Sequence, residues 1–324
     1  FRSYQLNEIG LFFAIIVLYV ILTASAAGFF TLDNQLGILR DAATVGIAAW
    51  GVTLVIIAGE IDISIGPAVA FASVIVAKGV AEWGLGVVGA VLLTLALGAV
   101  WGGLAGFLRA QYNVPSFIAT LGLWSILGGL ALYLTNALPV VLPTSSFFNV
   151  LGGDILGIPT SAVIMLVLFA VFAYVARYTA YGRSVYAVGG NPAAAMLSGI
   201  DLKKVRIILF ATTGVLAALT GILVAARLGS GNGGAASGLE FDVIAAVVLG
   251  GASIFGGRGT VWGTVVGALI VSLLTTALRI FGTDPSSLEL YKGAIIMAAL
   301  MADSSMTYAK ARLVEAAHPV DPVP

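Results

Sequence analysis

Residues 84–108 read G-L-G-V-V-G-A-V-L-L-T-L-A-L-G-A-V-W-G-G-L-A-G-F-L, twenty-five positions without a charge. As an α-helix rising 1.5 Å per residue, this stretch is about 37 Å long. A bilayer's hydrocarbon core, about 30 Å thick, needs roughly 20 apolar residues per helix. The stretch therefore reads as a membrane span. Within it Gly98, Gly102 and Gly106 recur every fourth residue. Small residues at that spacing make a flat stripe where a neighbouring helix can approach closely. Gly259, Gly263 and Gly267 repeat the spacing. Both stripes are read as packing within the chain rather than between subunits.

The rest of the chain is built in the same way. It has 324 residues, 60% of them hydrophobic and 9% charged, and a mean hydropathy of +1.09. Soluble domains carry about 25% charged residues, and only a bilayer lets outward-facing positions stay apolar. The formal net charge is zero, which offers nothing to nucleic acid. There is no cysteine, so disulfides and thiol metal sites are excluded. The one histidine, His318, lies in a polar tail. Ten candidate spans follow, near 10–29, 42–59, 63–81, 84–108, 115–134, 160–176, 206–226, 241–256, 261–281 and 286–302. The first is too long for a signal-peptide core. The eighth is short and broken by glycine. The expected fold is an all-α polytopic transmembrane bundle of about ten spans, some broken or re-entrant, with an internal repeat. It forms a single transmembrane domain over 1–324, with a cytoplasmic loop at 178–206 and a cytoplasmic tail at 303–324.

Lysine and arginine set the orientation. With the N-terminus inside, the inner segments hold Arg2, Arg109, Arg177, Arg183, Lys203, Lys204, Arg206, Arg258, Lys310 and Arg312. The outer segments and span edges hold only Arg40, Lys78, Arg227, Arg279 and Lys292. The loop 135–159, rich in Pro, Gly and Ser, has neither residue type, which suits the outside. Both termini are then cytoplasmic.

Two places interrupt the apolar pattern. Gly59-Glu60-Ile61-Asp62-Ile63-Ser64-Ile65-Gly66 sets two carboxylates and a hydroxyl between spans, and Gly250–Gly259 does the same with glycines. Paired interruptions in transporters mark repeats and substrate paths; ordinary surface turns are the other reading. Glu60, Asp62, Glu240, Asp242 and Arg258 all stand beside these breaks. For Asp62 and Ser64 the favoured role is capping the helix that follows.

The inner loop carries a complete short helix signal at 190–199. Asn191 is a good N-cap, and Pro192 suits the first helical position. Ala193, Ala194 and Ala195 propagate the helix, and Gly199 can take the left-handed stop. So short a helix is stable only when packed. Met196 and Leu197 offer an apolar knob, either for docking a soluble partner or for packing beneath the bundle.

Four ordered motifs carry a resemblance over about residues 40–300. They are G-E-I-D-I-S-I-G at 59–66, N-V-P-S-F-I-A-T-L-G at 113–122, Y-G-R-S-V-Y-A-V-G-G-N-P-A-A-A-M-L-S-G-I at 181–200, and Asp242 onward through L-G-G-A-S-I-F-G-G-R-G-T-V-W-G-T-V-V-G-A-L-I at 249–270. The chain resembles the permeases of ribose/xylose/arabinose-type ATP-binding-cassette (ABC) importers. The resemblance implies a permease dimer of identical or homologous copies in the bacterial inner membrane. An ATPase subunit would lie below it and a periplasmic sugar-binding protein above. The helix at 191–198 would be the ATPase-coupling helix, with Asn191, Pro192, Ala194, Met196, Leu197 and Gly199 as its contact and capping residues. Two departures stand out. Glu60 replaces a second glycine, leaving a carboxylate near the path. Pro192, Ala193 and Ala194 replace positions often acidic in the family.

The chain contains no G-x-x-x-x-G-K-[ST] loop and no Gly-Lys dipeptide. Such a loop needs its glycines for backbone approach to phosphate and its lysine for charge. ATP-Mg use is therefore assigned to the partner ATPase, with no cofactor, metal or catalytic residue on this chain. The expected cargo is a monosaccharide. The candidate path residues are Glu60, Asp62, Ser64, Asn113, Thr120, Ser125, Tyr133 and Asn136. Alternatives are an ABC permease for a nucleoside, an amino acid or a sugar-derived signal, or a secondary transporter. The last would want embedded acids or histidines as an ion relay, and no histidine lies in a span.

Overall fold

The computed structural model describes residues 2–284, 287–294, 297 and 301. Residues 286, 295, 296, 298–300 and 302 of the candidate span at 286–302, and the tail 303–324, lie outside the described residues. The chain divides into two compact units, Phe1–Leu273 and Leu274–Pro324.

In the first unit the helices are α1 (Arg2–Ser25), α2 (Leu32–Ile57), α3 (Ile65–Ala81), α4 (Gly86–Tyr112), α5 (Ser116–Thr135), α6 (Ser146–Gly152), α7 (Thr160–Tyr178), α8 (Ala180–Gly190), α9 (Pro192–Leu197), α10 (Leu202–Leu228) and α11 (Leu239–Leu249). The first turns of α12 (Val261–Ile280) complete it. Four two-residue strands join them: β1 (Val140–Val141), β2 (Asp154–Ile155), β3 (Ile158–Pro159) and β4 (Ser230–Gly231). Among the described residues, six helices, α2, α4, α5, α7, α10 and α12, are long and apolar enough to cross a membrane, and α3 is a shorter apolar helix. The second unit holds the end of α12 and helical residues 287–294, where Lys292 pairs with Glu289 at 2.8 Å.

The core forms on α2, which is apolar or small on every face after Ala42 and so is buried all round. It packs against α7, α10 and α11. Helix α10 lies along α3 and α4. The glycine stripe of α4 makes that approach possible. A Cβ on Gly98 would stand 2.6 Å from the Gly214 carbonyl oxygen, and one on Gly106 would stand 2.7 Å from Ile207 Cα. One on Gly102 would overlap the Phe210 carbonyl oxygen. A Cβ on Gly103 would meet only Ala211 Cβ, at an ordinary contact distance of 3.9 Å. Gly102→Val should therefore cost about 1–3 kcal/mol or more through overpacking. Gly103→Val should stay within about 0.5 kcal/mol. Thermal midpoints of the two detergent-purified variants would check this; equal midpoints would contradict the seam.

The second stripe splits. Gly263 and Gly267 lie in α12 against the Gly250 and Ala246 carbonyls. Gly259, at φ 154°, precedes the helix and belongs to a loop corner instead.

Buried threonines return their hydroxyls to the carbonyl four residues back, as at Thr53 (2.7 Å), Thr94 (2.7 Å), Thr213 (2.9 Å) and Thr220 (2.8 Å). An apolar bundle requires this, since no water is there to satisfy them. The segment expected as a plain loop, 135–159, is ordered. Val140 pairs with Gly231 and Val141 with Ser230. The Ser145 hydroxyl caps α6 by accepting from Phe148 N at 3.3 Å. Phe148 then fills a cluster with Val76, Ala77, Ala90, Leu142, Ile222 and Ala225.

Candidate functional site

The first interruption runs inside the first unit. After Gly59, at φ 75°, residues 60–64 form no regular structure. Their backbone is satisfied by α5: Ile61 N donates to Ser116 Oγ (3.1 Å) and Ile63 N to Thr120 Oγ1 (3.3 Å). Further up, Pro67 sits beneath Gly128. From Ser116 to Gly128 the chain climbs about 18 Å of α5. Helix α3 therefore begins roughly halfway along its neighbour.

A second irregular segment meets it there. From Gly229 to Gly238 the chain descends along α3. Asn232 N donates to Ser73 Oγ at 3.2 Å, and the Ala236 carbonyl oxygen lies against Gly66. Only then does α11 begin, and its 11 residues span about 16 Å, half a bilayer core. The eighth candidate, 241–256, is thus shorter and earlier than expected, because Gly250 and Gly251 end the helix. Irregular backbone at membrane depth is tolerated where protein covers it or where it lines a cavity.

Two carboxylates sit at the meeting level. Glu240, 3% exposed, accepts from Trp124 Nε1 at 2.9 Å, and its other oxygen lies over Gly66, where a Cβ would overlap it. Asp62 Oδ1 accepts from both Ser64 N (2.9 Å) and Ser64 Oγ (2.7 Å). This corrects the capping expectation. The Ser64 hydroxyl turns back to Asp62 in an Asx-type turn, so neither residue caps α3, which has no side-chain cap.

Glu60, read from sequence as a carboxylate near the path, is held by two arginines. Its carboxylate, 3% exposed, accepts from Arg109 Nε at 2.9 Å on both oxygens and pairs with Arg206 Nε at 2.8 Å. Asn113 and Asn136 are left-handed residues closing α4 (φ 54°) and α5 (φ 51°), a conformation Asn tolerates. Ser125 and Tyr133 are exposed on α5. Glu60, Asp62, Ser64 and Thr120 thus come together around residues 60–64, while the other four path candidates do not. Trp124 and Ser116 were missed. An apolar span gives no sign of which of its residues faces a break.

The end of this unit that holds Glu60 also holds the short helix. Asn191 Oδ1 accepts from Ala194 N at 3.0 Å, Pro192 opens α9, and Gly199 at φ 82° ends it. Ala195 is buried, Met196 is exposed and Leu197 is 87% exposed. Just before it, Tyr181 is largely buried, and burial pushes its phenol above the ordinary value.

Helix α8 locks this knob to both interruptions. A Cβ on Gly189 would overlap the Ile57 carbonyl oxygen. That oxygen instead accepts from Gly257 N at 2.8 Å. A Cβ on Gly256, at φ 84°, would stand 2.9 Å from Gly59 Cα. The Tyr186 hydroxyl donates to the Gly259 carbonyl at 2.9 Å.

Apolar spans, a helix interruption meeting a second irregular segment inside the bundle, and a capped knob tied to that interruption are the architecture of a membrane transport protein. The chain belongs to the family described as "Branched-chain amino acid transport system / permease component", matched over residues 34–302. It is 52% identical over 307 residues to the probable ABC transporter permease protein YphD of Escherichia coli strain K12, covering 95% of this chain and 92% of that protein. It is 38% identical to the ribose import permease protein RbsC of Haemophilus influenzae, covering 90% and 92%. With the L-arabinose ABC transporter permease protein AraH of Azospirillum brasilense the identity is 33%, covering 92% and 88%. No solved structure matches. The chain is a multi-pass permease subunit of the sugar ABC importer family.

Proposed function

We propose that this chain moves a monosaccharide from a periplasmic sugar-binding protein into the cytoplasm, driven by a separate ATPase subunit that docks on α9. The observation that carries this reading is the locked corner of Gly59, Gly189 and Gly256. Through it, any displacement of the exposed α9 must move both helix interruptions. ATP-Mg is used on the ATPase, and this chain supplies the coupling face through Met196 and Leu197. Two permease copies, identical or homologous, enclose the path. The whole of 1–324 acts as one permease domain of about ten spans in the bacterial inner membrane. Its α9 end and both termini face the cytoplasm, and a repeat relates the two breaks.

The path runs past the meeting level. Trp124 is 41% exposed there, its ring fixed by Glu240. A half-exposed indole one helical turn beyond Thr120 suits a neutral polyhydroxylated solute. Relatives named for ribose, arabinose and xylose support the same cargo. The family description, with its branched-chain amino acids, favours a second reading. In proteoliposomes the chain alone is expected to transport nothing, with or without an ion gradient. Adding the ATPase and the binding protein should give ATP-dependent uptake of a labelled pentose and none of labelled leucine. Leucine uptake by the full complex would establish the second reading. Gradient-driven uptake by the lone chain would replace both with a secondary transporter.

A further inference from the structure

The loop between α11 and α12 carries an exposed apolar tip that the coupling helix does not account for. Ile254 is exposed, and Phe255 is 88% exposed. The tip is held from several sides. Ser253 N donates to the Arg258 carbonyl at 2.9 Å and Gly256 N to the Ser253 carbonyl at 2.9 Å, which closes the loop on itself. The bonds from Gly257 N to Ile57 and from Tyr186 to Gly259 clamp it to α2 and α8. Backbone contacts this close require glycine: a Cβ on Gly257, at φ 73°, would stand 2.9 Å from Gly190 Cα. The next residue, Asn191, caps α9.

Phe255 is thus two residues from a point fixed against Gly190, and Leu197 is seven residues beyond that point. With α9 about 9 Å long, the two side chains lie within about 20 Å of each other. A protein interface of ordinary size, about 800 Å² per partner, covers that span. A pre-ordered aromatic loses little entropy on binding and is the residue type that dominates interface energetics.

We infer that Ile254–Phe255 is a second docking element for the ATPase that engages α9. This rests on the reading of α9 as the ATPase contact. The ATPase would then grip the second interruption directly, holding α11 and α2 as well as the coupling helix. Continuity with α9 through the Gly189–Gly190 and Gly256–Gly257 contact favours this occupant over lipid.

The chain has no cysteine, so Phe255→Cys and Leu197→Cys each give one labelling site. Each would carry a benzophenone maleimide in the full complex in proteoliposomes and be illuminated. Both positions are expected to form covalent adducts with the ATPase. Separately, Phe255→Ser should weaken ATPase association about tenfold, the effect of losing one moderate hot spot, with the permease's thermal midpoint unchanged. Adducts from position 197 but only lipid adducts or none from 255, with Phe255→Ser binding within about twofold of the parent, would overturn this inference alone. No ATPase adduct from either position in a transporting complex would overturn the α9 reading along with it.

Discussion

Glu60→Ala should destabilise the permease by about 3–5 kcal/mol, the cost of breaking a buried ion pair by removing one partner. Glu60 is 3% exposed, and the side chains of its partners Arg109 and Arg206 are 23% and 11% exposed. Without the carboxylate, two guanidinium groups share a desolvated corner with no opposing charge. Arginine stays protonated in proteins, so the charge cannot be relieved by proton loss. Glu60→Gln should be nearly as damaging, since it keeps the shape and removes the charge. Adding Arg206→Met to Glu60→Ala should recover part of the loss, because one of the two stranded charges goes with it. Denaturant unfolding in detergent with the four variants of this cycle measures the coupling. A Glu60→Ala loss below about 0.5 kcal/mol, the range of an ordinary surface change, would mean the corner is hydrated and the triad structurally idle. The same pairs tie the irregular segment after Gly59 to α4 and α10, so transport should fall together with stability.

How legible this was depended on the distance over which each feature is determined. The α9 helix could be read residue by residue, because caps, Pro at the first position and a stopping glycine act within one turn. The spans could be read from hydropathy, because the bilayer imposes a length. The glycine stripe of α4 showed a close approach but not its partner, α10, which is about a hundred residues away. Depth could not be read. Gly59–Gly66 also reads as a surface turn in sequence, and only its contacts with α5 carry it inward. The pairing of Glu60 could not be read because its arginines stand 49 and 146 positions further on. Asp62 and Ser64 looked like caps because the competing bond between them is equally local. Asn113 and Asn136 drew notice as polar residues near spans. Their position just after a helix, with Pro115 following the first, was the sign that they end helices.

Leu197→Asp should remove ATPase association and ATP-dependent uptake while leaving insertion and the thermal midpoint unchanged. The fold does not need this side chain: it is 87% exposed at the last residue of α9. An aspartate near a helix C-terminus opposes the dipole by only about 0.3–1 kcal/mol at low salt. In a closed interface the same change loses an apolar contact and strands a carboxylate. Together these cost about 3–5 kcal/mol, or roughly two to four orders of magnitude in affinity. Leu197→Ala tests the apolar share alone and should cost about 2 kcal/mol. Asn191→Ala weakens the α9 cap by about 1 kcal/mol and should reduce coupling without abolishing assembly, since the knob is kept but held less firmly. Co-purification of the ATPase and uptake into proteoliposomes read all three. If the Leu197→Asp complex assembles and transports like the parent, α9 does not meet the ATPase. The glycine corner joining it to both interruptions would then serve packing and not power transmission. Position 197 decides between these better than Met196 does, because Met196 is less exposed.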